Sequence, residues 1–225
     1  MAGNRQGTGL ALWLLAAGLA ALGSGPVLAG DRETRAYTVY VDGKRAGEGH
    51  LVIDRQDDGT TVVDGATGVK VRVLFFNYSY WYRGREIWKN GRLQKLDSSS
   101  DDNGQRYMLS VVPEPTGLRV TVNGQTRLAR TDVWTTSYWQ LPEARLRGGR
   151  LLLLDVDTGS DIDARLDNLG EEHVSIGGRT QKTTHYRLTS KLSVDLWFDA
   201  SERMVRQEWV EAGHRTIIEL ARTSR

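Results

Sequence analysis

The histidines and other residues that could act in catalysis do not occur in this sequence at the spacing of a known catalytic or metal-binding motif. The four histidines form no HxH or HExxH motif, and the chain has no cysteine. Zinc centres and metalloprotease sites need such clusters of ligands. Neither a GxSxG nucleophile elbow nor a P-loop occurs. The sequence therefore predicts no catalytic residue, no metal site and no cofactor, and a hydrolase is the least favoured class of function.

The acidic runs have the residue types of a cation-binding loop but not the register. A calcium loop needs oxygen ligands at its positions 1, 3 and 5 and a glycine at position 6. In the run DVDTGSDID, counted from Asp155, position 5 is Gly159 and position 6 is Ser160. Thr158-Gly159 instead predicts a turn between two strands, and Asp102-Asn103-Gly104 predicts a hairpin turn.

The remaining candidate for binding is an aromatic stretch. From Phe75 to Tyr82 the chain reads FFNYSYWY, in which six of eight residues are aromatic. We predict one strand from Val69 to Tyr82, one face of which changes from charged to aromatic residues. Such a strand passes from a half-solvated surface to one that is covered on both faces. The rings either fill a core or line a cavity for an apolar ligand; their placement on both faces disfavours an exposed platform for carbohydrate.

We favour the cavity for the cluster as a whole. Six rings in eight positions are difficult to place in one core layer without leaving space between them. The residues predicted to line or cover the cavity, and so to bind its ligand, are Phe76, Tyr78, Tyr80, Trp81, Tyr82, Trp88, Trp134, Tyr138 and Trp139.

Turn signals divide the chain into the short strands that must position these rings. The pairs are Asp42-Gly43, Asp58-Gly59, Asn90-Gly91, Asn103-Gly104, Asn123-Gly124, Gly148-Gly149, Gly177-Gly178 and Ala212-Gly213. Such pairs tolerate the positive φ angles of two-residue hairpin loops. Between them apolar and polar residues alternate, as in GLRVTV and KLSVDLWF. We predict an all-β fold of about ten strands: a strongly curved antiparallel meander that forms a half-barrel or barrel-like sheet.

One region departs from the strand pattern. The segment from Thr131 to Arg147 contains Pro142, and its apolar residues fit a short helical turn better than a strand. We predict that it forms a short helical or irregular cover on the sheet. The stretch SDIDARLDNLG is a second candidate for such a piece.

The N-terminal segment has the features of a secretory signal peptide. Arg5 precedes 13 apolar and small residues at positions 10–22, fewer than the about 20 that a membrane span needs. Pro26 ends the run, and the following VLA has small residues at the two positions that precede a cut. We expect residues 1–29 to be a signal peptide that is cleaved after Ala29, which places the protein in the periplasm or outside the cell.

The processed chain, residues 30–225, is expected to form a single β-rich domain without stable membrane insertion. No linker or internal repeat divides it. Because the chain has no cysteine, it lacks disulfides and the lipid-modified cysteine of a lipobox. Acidic and basic residues are interspersed at a net charge of +2, so the sequence predicts no nucleic-acid partner.

Three stretches together resemble a family of exported bacterial proteins, domain-of-unknown-function family 6134. They are the aromatic strand that leads into REIWKNGRLQKLDSSSDDNG, TSYWQLPEARL with LLLLDVDTG, and YRLTSKLSVDLWFDASERMVRQEWVEAGHRTIIEL. The resemblance covers nearly the whole processed chain and implies no established activity.

The closing hairpin is also similar to that of periplasmic lipoprotein carriers of the LolA/LolB type. Trp197, Asp199 and Arg206 match the pattern of those carriers, whereas residues 201–204 replace the usual glycine and proline of the turn. This similarity implies a curved antiparallel sheet, a helical lid and an apolar cavity for acyl chains.

We interpret the sequence as that of an exported soluble binding or carrier protein that holds a hydrophobic, lipid-like ligand in a curved β-sheet cavity, without catalysis. The alternative is a structural or assembly module of the cell envelope that binds a protein partner through a sheet edge or an apolar patch. A hydrolase comes third, and would need a histidine within reach of both a carboxylate and a hydroxyl.

The predicted cleavage can be checked directly. Protein recovered from the exported fraction should begin at Gly30 by N-terminal sequencing, because the small residues of VLA direct the cut after Ala29. Exported protein that still begins at Met1 would contradict this prediction.

Overall fold

The computed structural model of the protein describes residues 31–73 and 76–225, which form strands and one short helical turn. The first eight strands are β1 (Asp31–Val41), β2 (Lys44–Arg55), β3 (Thr60–Val73), β4 (Phe76–Lys89), β5 (Arg92–Asp102), β6 (Gln105–Glu114), β7 (Gly117–Val122) and β8 (Gln125–Ala129). The other seven are β9 (Val133–Thr135), β10 (Arg150–Leu154), β11 (Asp161–Ile176), β12 (Arg179–Thr189), β13 (Ser193–Phe198), β14 (Met204–Glu211) and β15 (His214–Ser224). The helical turn is a 3-10 turn at Ala144–Leu146. No helix in the described ranges is long and apolar enough to cross a membrane.

All fifteen strands belong to one sheet. Their order is β8-β7-β6-β5-β4-β3-β2-β1-β15-β14-β13-β12-β11-β10-β9. Neighbouring strands are antiparallel except β9 and β10, which are parallel. From β1 in the middle of the sheet the strands follow one another to the edge at β8, and β9 to β15 then fill the other half from the far edge back to β1. The prediction of an all-β, curved antiparallel meander with a short irregular cover is confirmed.

The predicted turn pairs place most of the hairpins. Seven of the eight join consecutive strands, and at turns such as Asn90-Gly91 both residues have positive φ, 50° and 75°. Gly148-Gly149 is the exception, because it leads from the 3-10 turn into β10. The sheet has fifteen strands rather than about ten, since several turns, such as Pro115-Thr116, carry no such pair.

The aromatic stretch lies on two strands, so the single strand predicted from Val69 to Tyr82 is wrong. Strands β3 and β4 pair antiparallel up to Val73 opposite Phe76. No glycine, asparagine or proline marks this reversal in the sequence, and residues 74–75 lie outside the described ranges. The stretch SDIDARLDNLG is likewise a strand, part of β11, because its buried apolar residues alternate with exposed charged ones.

One end of the sheet rolls inward, so that β10 runs through the interior. Leu151 and Leu153 pack in a cluster with the C-terminal strands, whereas Leu152 and Leu154 pack in a cluster with the N-terminal strands. All three residues of β9 are buried as well. A strand that is apolar on both faces is typical of a position covered from both sides. The sheet therefore fills its own interior.

Glycines on β3 and β4 make room for this curvature. Gly65 and Gly84 are direct partners across the two strands. A Cβ on Gly84 would lie 2.1 Å from the Tyr82 hydroxyl oxygen, and one on Gly65 would lie 3.5 Å from the Tyr82 ring. Because the ring lies across this glycine pair, a larger residue at position 84 would displace it. At the edge of the sheet, both oxygens of Asp161 accept hydrogen bonds from Arg127 at 2.8 and 2.9 Å, which joins β8 to the opposite half.

A buried ion pair on β1 anchors the cover, residues 131–149, to the sheet. Arg35 is 1% exposed and donates to both oxygens of Glu33 at 2.9 and 3.0 Å. Its third group, Nη1, donates to the backbone carbonyl of Trp139 in the cover at 2.5 Å. Burial opposes the ionisation of Glu33, but the hydrogen bonds and charges of Arg35 and Arg55 outweigh it and hold the pKa of Glu33 below its usual value.

Arg35→Ala should lower the free energy of unfolding by about 3–5 kcal/mol, because it removes the bidentate partner of the buried Glu33 carboxylate and leaves only the longer contacts of Arg55 at 3.4 Å and Arg203 at 3.7 Å. The matched control is Arg85→Ala, which breaks a bidentate pair with Asp64 on the exposed surface and should cost less than about 1 kcal/mol. Urea unfolding followed by tryptophan fluorescence measures both variants. Equal losses of stability in the two variants would contradict the prediction that the buried pair contributes more than the exposed one.

Candidate ligand-binding site

Five of the nine predicted ligand-binding residues lie in the core: Tyr82, Trp88, Trp134, Tyr138 and Trp139 are buried. The ring centroids of Trp88 and Trp139 are 6.1 Å apart, and those of Trp134 and Tyr138 are 5.0 Å apart. The cleft beside them has a volume of about 80 Å³, well below the roughly 300 Å³ at which ligand pockets begin. These rings pack against one another and against the core.

The other four predicted residues are divided between the two faces of β4. Tyr78 and Tyr80 are half-buried and share the interior face with Tyr82, whereas Trp81 points outward and is 45% exposed. The side chain of Phe76 lies outside the described part of the chain. The structure therefore does not bring the nine residues to one site, and their contact with a ligand stays a prediction.

A concavity of ligand size lies on the outer face of β2, β3 and β4. It is an open groove of about 640 Å³, within the range of about 300–1,000 Å³ that is typical of ligand pockets. Strand pairing aligns Glu48, Gly68, Trp81 and Asp101 in one row across it. A Cβ on Gly68 would meet no atom within 4 Å. The floor between Glu48 and Trp81 is therefore bare backbone.

Small residues extend this floor along β2 and β3. Ala46 and Gly47 stand at a β-bulge of β2, and Ala66 continues the lining on β3. A bulge bends its strand and increases the local twist. A Cβ on Gly47 would lie 2.1 Å from the carbonyl oxygen of Gly68, so only glycine allows the two strands to approach this closely.

The rim of the groove is charged with both signs. Arg45 and Glu48 form an exposed ion pair at 3.3 Å. Asp101 accepts hydrogen bonds from Nε of Arg106 at 2.9 Å and from the backbone N–H of Gly104 at 2.6 Å, and these bonds hold its pKa below the usual value. A small apolar centre with a charged rim suits a ligand that has an apolar and a polar part.

A comparison with protein families agrees with the resemblance seen in the sequence. The model of the family described as Domain of unknown function (DUF6134) matches residues 37–221, a range that contains the groove and the cover. The chain belongs to this family. A search of curated proteins finds no match.

The fold of this DUF6134 protein also has a solved neighbour. It is similar to the crystal structure of a beta-barrel-like protein of domain of unknown function DUF1849 from Brucella abortus, with a TM-score of 0.63 at 6% identity. The similarity covers 86% of this chain and 97% of that chain. At this identity the likeness shows the fold alone, which is a barrel-like sheet.

The closing hairpin of the DUF6134 protein consists of β13 and β14. Trp197 and Arg206 are direct partners, and the guanidinium lies 5.4 Å from the ring centroid. Asp199 closes the turn by accepting hydrogen bonds at 2.8 Å from the N–H of Ser201 and from Nε of Arg203. The three residues shared with LolA/LolB-type carriers thus pair and close two strands. In residues 131–149 the cover holds the single 3-10 turn in place of the helical lid that this similarity implies.

The most enclosed histidine lacks the surroundings of a hydrolase. Nε2 of His185 lies 2.8 Å from Asp195 and Nδ1 lies 3.5 Å from Glu172, while the ring stacks on Trp197 at 4.4 Å. Its hydrogen-bond partners among the described residues are carboxylates rather than a carboxylate and a hydroxyl. Residues 31–73 and 76–225 contain no group of three or more acidic or histidine side chains that could hold a metal ion.

The sequence pattern gives no sign of two carboxyl groups on the interior side of the sheet, of which Glu86 is buried and Asp157 half-buried. The carboxylate of Asp157, in the turn between β10 and β11, accepts hydrogen bonds from the Tyr80 hydroxyl at 2.9 and 3.0 Å. Burial, aided by the charge of Asp155, raises the pKa of Asp157 to about 6. Glu86 accepts hydrogen bonds from Nε1 of Trp88 and from the Thr135 hydroxyl, and burial raises its pKa. Neither position has a sequence pattern that marks it as buried.

The groove floor was also missed, although the sequence carries a signal for it. A glycine inside a strand marks a bulge or a close approach of another backbone. Strands β2 and β3 contain four glycines, Gly47, Gly49, Gly65 and Gly68, in positions that are not turns. Their density in two adjacent strands predicts a surface with few side chains.

Asp157→Asn should reduce the pH dependence of stability between about pH 4 and 6. The folded-state pKa of about 6 lies above the unfolded value near 3.9, so the native state holds the proton more tightly. The wild type therefore loses stability as the pH rises through this window, by at most about 3 kcal/mol. Asparagine still accepts a hydrogen bond from Tyr80 and does not ionise.

The measurement is urea unfolding at several pH values. Asp157→Asn should be more stable than the wild type at pH 7 and nearly equal to it near pH 4. Asp163→Asn, on the exposed face of β11, is the control and should follow the wild type. A difference between Asp157→Asn and the wild type that does not vary with pH would contradict the assignment.

Proposed function

We propose that this protein is an exported, non-catalytic binding or carrier protein for a hydrophobic, lipid-like ligand, and that the ligand lies in the outer groove of β2, β3 and β4. The observation that carries this proposal is the 640 Å³ groove with bare backbone at Gly68 and an exposed indole, Trp81, at its wall. A flat or chain-like apolar group can contact the backbone there without displacing a side chain.

The packed interior around β10 supports an outer site for the ligand rather than an interior one. Leu151 and the other three leucines of β10 are buried on both faces of that strand, and Trp88, Trp134 and Trp139 are packed in the core. The cleft that these three tryptophans share has only about 80 Å³. Tyr80 and Trp81 of the predicted set border the larger groove, but the Tyr80 side chain is bonded to Asp157 in the interior, so Trp81 is the ring that faces the groove.

The envelope-assembly alternative has one observation in its favour. Beyond Leu166, β11 pairs only with β12, so one edge of β11 is unpaired. Because β12 pairs with β13 only from Thr184 onward, residues 172–183 form a two-stranded arm at the end of this edge. An unpaired edge can add a strand of another protein. However, Glu171 at the base of the arm and Lys182 on it carry charges, and charged edges oppose such pairing. Pull-down of an envelope protein that is lost when the arm tip is shortened would favour this alternative.

The proposal is tested with N-phenyl-1-naphthylamine, an uncharged apolar probe that becomes fluorescent when it leaves water. Wild-type protein should enhance its fluorescence in a saturable way. Trp81→Ala should weaken binding by about tenfold or more, since a buried aromatic contact is worth about 1.5–3 kcal/mol. Met108→Ala, which removes another exposed apolar side chain of the outer face outside the groove, is the matched control and should bind as the wild type does.

A second variant fills the groove without removing any contact of the fold. A Cβ on Gly68 meets no atom, so Gly68→Leu should fold with unchanged thermal stability and yet bind the probe poorly. Native mass spectrometry of the protein from its exported compartment should find a bound apolar molecule in the wild type and not in Gly68→Leu. Equal probe binding by the wild type, Trp81→Ala and Gly68→Leu would overturn the groove as the site.

A further inference from the structure

We infer that the ligand carries an anionic group beside its apolar part, and that Lys70 contacts this group at one end of the groove. The inference rests on the proposed function, because it concerns the same groove on β2, β3 and β4. It goes further in naming the class of ligand, an amphipathic anion, and the residue that selects it.

The acidic groups of the rim are already satisfied. Asp101 accepts hydrogen bonds from Arg106 and Gly104, and the Trp81 indole also contributes to its lowered pKa. Glu48 is paired with Arg45 at 3.3 Å. A ligand cation would have to compete with these partners for each carboxylate.

The basic groups of the rim include two without a partner. Among the described residues neither Lys70 nor His50 has a hydrogen bond, an ion pair or a ring contact, and both side chains are exposed. Both line the groove. The charge that remains available to a ligand at this rim is therefore positive, which favours an anion.

The strand geometry places Lys70 beside the floor. Lys70 and Gly68 lie two residues apart on the same face of β3, so their Cα atoms are about 7 Å apart along the strand. Across the sheet, Lys70 is opposite Ser79 and Gly68 is opposite Trp81. An anionic group at Lys70 therefore directs the apolar part of the ligand over Gly68 toward the Trp81 ring. The lysine side chain is flexible and its ammonium is a point charge, so it selects charge rather than shape.

The test compares three single-chain molecules of equal length that differ in charge: decanoate, 1-decanol and decyltrimethylammonium at pH 8. Each displaces N-phenyl-1-naphthylamine from the wild type, and decanoate should do so at about three- to fivefold lower concentration than decanol, the scale of one exposed ion pair. Decyltrimethylammonium should be the weakest. Raising sodium chloride from about 20 mM to about 500 mM should remove the preference, because exposed charges are screened.

Variants separate the local contact from the net charge. Lys70→Gln should abolish the preference for decanoate and leave displacement by decanol unchanged. Lys95→Gln, which makes the same charge change on β5 outside the groove, should retain the preference. Circular dichroism should show the same fold for both variants, since each replaces an exposed side chain.

The outcomes distinguish this inference from the proposed function. If decanoate and decanol displace the probe equally, or if Lys95→Gln loses the preference as Lys70→Gln does, the inference is overturned and the groove remains a site for apolar ligands. If none of the three molecules displaces the probe from the wild type, the proposed function fails and the inference fails with it.

Discussion

The structure depends on the buried ion pair of Glu33 and Arg35. The guanidinium uses two of its groups on the carboxylate and a third on the Trp139 carbonyl, so the cover cannot lift without leaving a buried charge short of a partner. Nη1 of Arg203, in the turn between β13 and β14, lies 3.7 Å from the same carboxylate. The ion pair thus connects β1 to the cover through Arg35 and to a hairpin of the C-terminal half through Glu33. An interior that contains such a network is held closed as well as filled.

Because the interior around β10 is packed, the binding surface that we propose lies on the outside of the sheet. On the outer face of a strand every second side chain projects into solvent, so a groove forms only where side chains are missing. Gly68 and the bulge at Ala46 and Gly47 supply this condition. The interior glycines Gly65 and Gly84 have a different purpose, because they accommodate the Tyr82 ring. Gly65 and Gly68, three residues apart on β3, therefore shape opposite faces of the sheet.

Much of the fold could be predicted from local sequence, and the site could not. Asn90-Gly91 and similar pairs specify hairpins because positive φ is a local property of two residues. The reversal between Val73 and Phe76 has no such pair, so the local pattern predicts a single strand for the aromatic residues. The burial of Glu86 and Arg35 depends on the cover, which is distant from both residues in the sequence. Local periodicity cannot predict contacts between such distant segments. The groove could not be predicted either, because its residues lie on three strands and the sequence does not show which strands are neighbours.

Trp81 is the residue of the aromatic stretch whose position is not explained by packing in the core. Tyr82 is buried against the glycine pair, and Tyr80 donates to Asp157 in the interior. Both rings are explained by the core that they fill. Trp81 faces the other way, is 45% exposed and stands opposite a glycine that gives it no cover. An indole with this much apolar surface in water gains free energy when that surface is covered, and the empty space above Gly68 is where a covering group fits.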